Sequence, residues 1–212
     1  MKVDFIFDIA SPNTYLAHKL IPNFEERTGV KFNYIPCLLG GIHKLSNNQP
    51  PFIAFADCKN KSDYQMIEID RFVKQHNLTN YKFNSHFPPV TIQVQRGAIA
   101  AQELNIFEEY FECVISAMWE NDKNISDIEV LKEVLAETDL DVESIMEIVV
   151  SQACKDKLIS NTDDAVKRGS FGVPTFFYDD QIFFGKDHLH QLEQYINSVS
   201  YTHLTLPTIL LV

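Results

Sequence analysis

Cysteine is scarce and scattered in this chain: Cys37, Cys58, Cys113 and Cys154 are spread over 212 residues, and no two form a C-x-x-C pair. That spacing predicts reduced structural thiols in a reducing compartment, and it excludes a disulfide framework. No histidine stands beside a cysteine at ligand spacing, so no metal site is expected. Basic residues are also few, 18 against 29 acidic ones, and the net charge of −11 argues against nucleic acid as a partner. No apolar run in the folded part is long enough to cross a bilayer, and the N-terminus enters a strand after one lysine instead of resembling a signal peptide. The expectation is a soluble, cytoplasmic protein. Its 45% hydrophobic content suffices for one well-cored domain with an insertion, or for two small ones.

What is present begins with an apolar strand, Val3 to Phe7, followed by Asp8-Ile9-Ala10-Ser11-Pro12-Asn13-Thr14-Tyr15. This reads as strand, sharp turn, helix. Ser11 suits an N-cap and Pro12 the first helical position, so backbone N–H groups and the positive helix end would face whatever lies before Ser11. Gly29 suits a helix C′ position, and Val30 to Ile35 reads as a second strand, completing a right-handed βαβ unit. From Pro36 to Pro51 the pattern breaks, and the sequence predicts a long functional loop.

Beyond it, helical spacing persists for roughly a hundred residues. Helices are expected from near Ser62 to His76, with Tyr64, Ile67, Ile69 and Val73 buried, and across Thr91 to Leu104, Ile106 to Glu120 and Gln152 to Arg168. Ser126 with Glu129 reads as a capping box, and Asp141 as the cap of the next helix. After Gly169 the strand signal returns. Pro174 opens Thr175 to Tyr178, Asp179-Asp180 turns the chain, Gln181 to Phe184 completes a hairpin, and Asp187 is the expected cap of a final helix.

Reassembled, the ends give an α/β, thioredoxin-like domain (1–50 and 169–199) interrupted by an all-α insertion (51–168), with 200–212 a tail that is non-native or disordered. Four motifs occur in this order: Asp8-x-x-Ser11-Pro12-Asn13-x-Tyr15-Leu16, Asn48-x-Pro50-Pro51, Gly169-x-Phe171-Gly172-Val173-Pro174 and Phe184-Gly185-x-Asp187. With them the chain resembles the 2-hydroxychromene-2-carboxylate isomerase and kappa-class glutathione transferase branch of the DsbA-like family, over residues 2 to 198.

The resemblance implies a site for glutathione. Redox members of the fold open the first helix with C-x-x-C, whereas this chain has Ser11-Pro12-Asn13-Thr14, which argues against disulfide exchange by its own thiols. Ser11 would hydrogen-bond the glutathione sulfur and favour thiolate, a role compatible with N-capping, and Pro12 and Asn13 would share the site. Val173, before a cis Pro174, would offer its backbone to the cysteinyl unit. Asn48 would contact the tripeptide, with Asn47 able to substitute. Lys186 and Asp187 would hold the γ-glutamyl end. The family commonly has arginine after that aspartate; here it is His188. The implied activity is glutathione-dependent isomerisation of an unsaturated carbonyl compound, with a kappa-like transferase or a non-catalytic glutathione- or peptide-binding module as alternatives, and a homodimer is implied. Tyr15, His43, Phe52, Tyr64, Phe87 and Trp119 are candidate lining for the electrophilic small-molecule substrate, although each reads more readily as core than as contact. His43 and His86 are loop candidates for acid or base.

Overall fold

A computed structural model describes residues 2–204. The tail expectation for 200–212 lies largely outside the described residues. β1 (Lys2–Phe7) runs through Ser11 into α1 (Pro12–His18) and α2 (Ile21–Thr28), and β2 is Lys31–Pro36. The sequence shows one helix where two occur: the chain breaks at Lys19-Leu20 and restarts with a proline in the first turn of α2. Gly29 ends α2 in the left-handed region at φ 69°, as its position predicts.

The expected loop after β2 holds two helices, α3 (Leu39–Leu45) and the short α4 (Pro51–Ala54). Gly40-Gly41 conceals α3 from a propensity reading, but Gly41 is where the helix meets its neighbour: a Cβ there would lie 2.9 Å from Thr162 Cγ2. The helical stretch continues as α5 (Lys61–Gln75), α6 (Ile92–Glu103), α7 (Phe107–Trp119), α8 (Ile128–Ala136), α9 (Val142–Val150) and α10 (Gln152–Lys167). On α5 the buried face is set by Phe72, with Ile69 and Val73 packed beside the core; Tyr64 and Ile67 are exposed, contrary to expectation. The cap of α8 is Asp127, whose carboxylate accepts from Glu129 N–H, while Ser126 Oγ accepts from Val90 N–H. Asp141 caps α9, accepting from Ser144 N–H at 3.1 Å.

β3 (Thr175–Tyr178) and β4 (Gln181–Phe184) close the sheet, and a 3-10 turn, Lys186–His188, leads into α11 (Leu189–Leu204). The order is β2-β1-β3-β4, with β1 and β2 parallel (Phe5 opposite Tyr34) and β1 and β3 antiparallel (Phe5 opposite Phe176). One face of β1 carries Val3, Phe5 and Phe7 into the main core, where Phe5 stacks on Phe176 at 5.1 Å and Phe7 meets Phe111 edge-on at 5.0 Å. Ile6, on the other face, joins Cys37, Ile42, Ala165 and Val173 beneath α3 and α10. The main core is continuous from the sheet into α6, α7, α8 and α9, and a small satellite cluster of Ile99, Cys154 and Leu158 lies among the inserted helices. Fusing the two parts fixes the turn after β1 from both sides.

Candidate active site

The turn after β1 is held by side chains from distant segments. Asp8 is buried; its Oδ1 accepts from Ala10 N–H at 2.9 Å, and its Oδ2 accepts from Leu39 N–H at 2.8 Å and Thr91 Oγ1 at 3.0 Å. Burial raises the Asp8 carboxyl above its usual range, and those three donors oppose the shift. Gln95 of α6, fully buried, donates from Nε2 to the carbonyls of Phe7 (2.9 Å) and Cys37 (2.8 Å), and Trp119 of α7 donates from Nε1 to Ile9 O at 2.9 Å. The insertion therefore grips the backbone within two residues of Ser11.

Ser11 is buried and takes the N-cap position of α1, but its side chain caps nothing. Its Oγ instead donates across the site to Val173 O, at 3.4 Å. That length is at the far end of a hydrogen bond, so a better acceptor placed there would take the proton donor readily. The Val173–Pro174 peptide is cis. Neither the Val173 N–H nor the Asn13 N–H has a backbone partner among the described residues. Pro12 has no N–H to offer. With α1 only seven residues long, these individual donors carry the site's polarity rather than a long helix dipole.

The loop bearing Val173 is itself braced. Thr175 Oγ1 donates to Gly172 O at 2.7 Å, Ser170 Oγ donates to the same carbonyl at 2.9 Å, and Gly185 N–H donates to Pro174 O at 2.9 Å. Asn48 lies on this rim: its Nδ2 donates to Phe171 O at 2.8 Å, tying the segment after α3 to the segment before the cis-proline. Lys186 and Asp187 follow Gly185, and their turn packs against α1. The Lys186 ammonium is 2.6 Å from Asp187 Oδ1 and 4.5 Å from the centre of the Phe72 ring; Lys186 is buried, whereas Asp187 is open to solvent. The sequence suggested Asp187 as the cap of the final helix; instead its carboxylate answers the Lys186 ammonium, and Gly185 begins the turn that precedes α11. His188 is exposed beside it.

Of the eight expected ligand-binding positions, Ser11, beside Pro12 and Asn13, is tied to Val173 before Pro174, Asn48 is tied to Phe171 of the same loop, and the Lys186–Asp187 turn follows Gly185, which is bonded to Pro174. The proposed lining does not hold together as a set. Tyr15 is buried with its hydroxyl donating to Glu120 at 3.0 Å, Trp119 is spent on Ile9, and His43 is buried within α3, not in a loop. Burial lowers the His43 pKa, which keeps it neutral. His86 is an exposed loop residue and Tyr64 an exposed position on α5. Phe52 and Phe87 do meet, at 5.7 Å, and Phe83 continues the cluster to Trp119 at 5.9 Å. This partly open aromatic wall begins at the side chain that holds Ile9.

Asp8, Thr91, Gln95, Ser170 and Thr175 were not foreseen as site residues. Asp8 was visible in the first motif, but its partners lie 31 and 83 positions away, and only the folded chain joins them. All four cysteines are free; Cys37, Cys113 and Cys154 have thiol pKa values raised first by burial, while Cys58 is exposed. Among the described residues, no group of three or more His, Cys, Asp or Glu side chains is arranged to hold a metal ion. Nor is any described helix long and apolar enough to cross a membrane.

The description "DSBA-like thioredoxin domain" matches residues 2–197. The chain belongs to the DsbA-like thioredoxin family. Within the family it is similar to a 2-hydroxychromene-2-carboxylate isomerase from Sphingobium xenophagum, 27% identical over 92% of this chain and 97% of that one. It is also similar to glutathione S-transferase kappa 1 of Rattus norvegicus, 23% identical over 82% of this chain and 79% of the other. A solved 2-hydroxychromene-2-carboxylate isomerase structure superposes with a TM-score of 0.83 at 24% identity, over 98% of this chain and all of that one. In this DsbA-like chain the turn into α1 reads Ser11-Pro12-Asn13-Thr14, with no cysteine in it.

Proposed function

We propose that this DsbA-like protein is a glutathione-dependent isomerase of an unsaturated, aromatic-derived carbonyl compound. The observation that carries the reading is the Ser11 hydroxyl, which faces the cis-proline loop across 3.4 Å where a redox relative would place a thiol. A site built this way lacks its own nucleophile but keeps the donors that would stabilise one. The relatives named as isomerases and as kappa transferases support glutathione as the molecule supplying it.

The residues fit that molecule. The Val173 N–H and C=O lie in the bend just before β3, where an incoming cysteinyl unit can pair with them. Asn48 and Phe171 hold that bend in place, and the exposed Asp187 carboxylate is available to an α-ammonium while Lys186 sits behind it. When bound, glutathione supplies a thiolate that adds reversibly to an electrophilic carbon, letting a former double bond rotate before elimination.

The chain's own residues set up that chemistry. Ser11 Oγ–H turns from the Val173 carbonyl to the sulfur, and the Asn13 N–H adds a second donor. Both favour the charged form, and lowering a thiol from its free value near ~8.5 by about a unit makes thiolate a major species at neutral pH. The Phe52, Phe83 and Phe87 wall presents an apolar face to a flat substrate and limits water at the reacting carbon. A transferase uses the same residues and releases the substrate joined to glutathione, so consumption of glutathione separates the two activities. Reduced cysteines favour a cytoplasmic setting.

The test is calorimetric titration of glutathione with thiolate absorbance followed in parallel. Wild type is expected to bind and to show thiolate at neutral pH, and Ser11→Ala to bind but lose roughly 10²-fold or more in turnover along with the absorbance. A folded wild type that ignores glutathione overturns the proposal. Binding without turnover of any unsaturated ketone would instead mark a non-catalytic binding module.

A further inference from the structure

A cleft of about 280 Å³ lies between α3, α6 and α10. Leu158 and Thr162 of α10 form its floor, where Gly41 lets α3 approach closely; Leu45, Ile92 and Ile159 form an exposed apolar rim. Three cations converge on it, Lys44, Arg96 and Lys155, against one anion, Asp163. In a chain of net charge −11 this is a local reversal of sign. None of the three cations forms an ion pair among the described residues.

Cations left without a counter-charge around an apolar cleft suit an anionic guest. A guanidinium offers paired N–H donors that match the two oxygens of a carboxylate, and Arg96 lines the cleft, so the lining suits a planar, two-oxygen anion. The apolar rim specifies the rest of it. A cleft just under the ~300 Å³ at which ligand pockets usually begin admits one or two rings, not a larger body.

We propose that this cleft is a binding site for a small organic carboxylate with an aromatic or aliphatic body, its carboxylate on Arg96 and its hydrocarbon against Leu45, Leu158 and Ile159. Lys44 and Lys155 attract the anion from solvent. The same α3 that walls the cleft leads directly into Asn48, whose side chain anchors Phe171 beside the cis-proline. Occupancy therefore steadies the segment that shapes the glutathione rim. The site itself is independent of the activity proposed above.

The probe is 1-naphthoate, titrated by calorimetry into protein saturated with glutathione, with 1-naphthamide as its uncharged counterpart. One naphthoate per chain is expected to bind, naphthamide roughly tenfold or more weakly, and Arg96→Gln is expected to weaken naphthoate by the same factor. Amide shifts on binding are expected in α3 and α10. Equal affinity for the two probes, unaltered binding by Arg96→Gln, or no binding at millimolar naphthoate overturns the proposal. Should Arg96→Gln fail to fold, the surface variant Lys44→Gln with Lys155→Gln decides: several-fold weaker binding with a reduced salt dependence supports the site, and unchanged binding refutes it.

Discussion

Asp8 shows how much of the site rests on a single side chain that never faces the reacting centre. Its two oxygens collect donors from Ala10, Leu39 and Thr91, so the carboxylate joins the turn before Ser11 to the start of α3 and the start of α6. Asp8→Ala strands these donors in a buried place, and each such loss costs about 1–3 kcal/mol. Urea unfolding at neutral pH is expected to show at least that decrease. Because burial raises the Asp8 pKa, the folded state keeps this proton to higher pH than the unfolded chain does. The stability it contributes is complete below the ordinary value of 3.8 and declines as pH rises through the raised one. Asp8→Asn, which cannot titrate, is expected to lack that decline. A variant whose urea midpoint follows the wild-type pH curve would mean that Asp8 is not the group responsible.

Among the helices, close approach decides more than amphipathic pattern. Gly97 on α6 faces Tyr110 on α7, and a Cβ at Gly97 would stand 2.0 Å from the Tyr110 hydroxyl oxygen, which itself donates to Val94 O at 2.8 Å. Gly97→Ala must push α7 away or displace a buried ring, at a cost of about 1–3 kcal/mol typical of overpacking. Tyr110→Phe removes the nearest of the clashing atoms while a ring carbon at 2.6 Å remains, so the double variant is expected to lose less than the sum of the two single ones in urea titrations; strict additivity would place the strain elsewhere. This kind of contact also explains what the sequence hid. The strands, Gly29 and the hairpin were legible because alternation, a left-handed position and a short acidic turn are local signals. α3 was not, since its two glycines speak against a helix until Thr162 arrives from 121 positions further along. Ser126 lost the cap to Asp127 because its hydroxyl is engaged by Val90 from another segment. The rim residues were legible as motifs, whereas the residues that brace them were not, because a brace is defined by its distant partner.

In the whole molecule, an excess of negative charge must be reconciled with a core that binds sheet and insertion into one body. The seam between α1 and α7 does this with a charged cluster: Glu112 meets His18 through one oxygen and Lys19 at 2.9 Å through the other, while Lys19 also reaches Glu120 at 3.4 Å and His18 Nδ1 lies 2.7 Å from the Tyr34 hydroxyl. The hydrogen bond to His18, assisted by the charge of His18 and Lys19, holds the Glu112 carboxyl down at about 2, against an ordinary 4.5. A depressed folded value means that the unfolded chain takes up the proton first as the solution is acidified. The stability from Glu112 is therefore whole above pH 4.5 and is lost progressively as pH falls toward about 2. Glu112→Gln is expected to be less stable than wild type at pH 7, with the gap shrinking through that window and closing near its lower end. Because the carboxylate is half exposed, solvent screening keeps the gap well below what the shift alone would imply. Urea midpoints of both proteins at pH 7, 4 and 2.5 measure it. A gap that stays constant across those pH values would mean that Glu112 acts by packing, and that acid unfolding begins at another carboxylate.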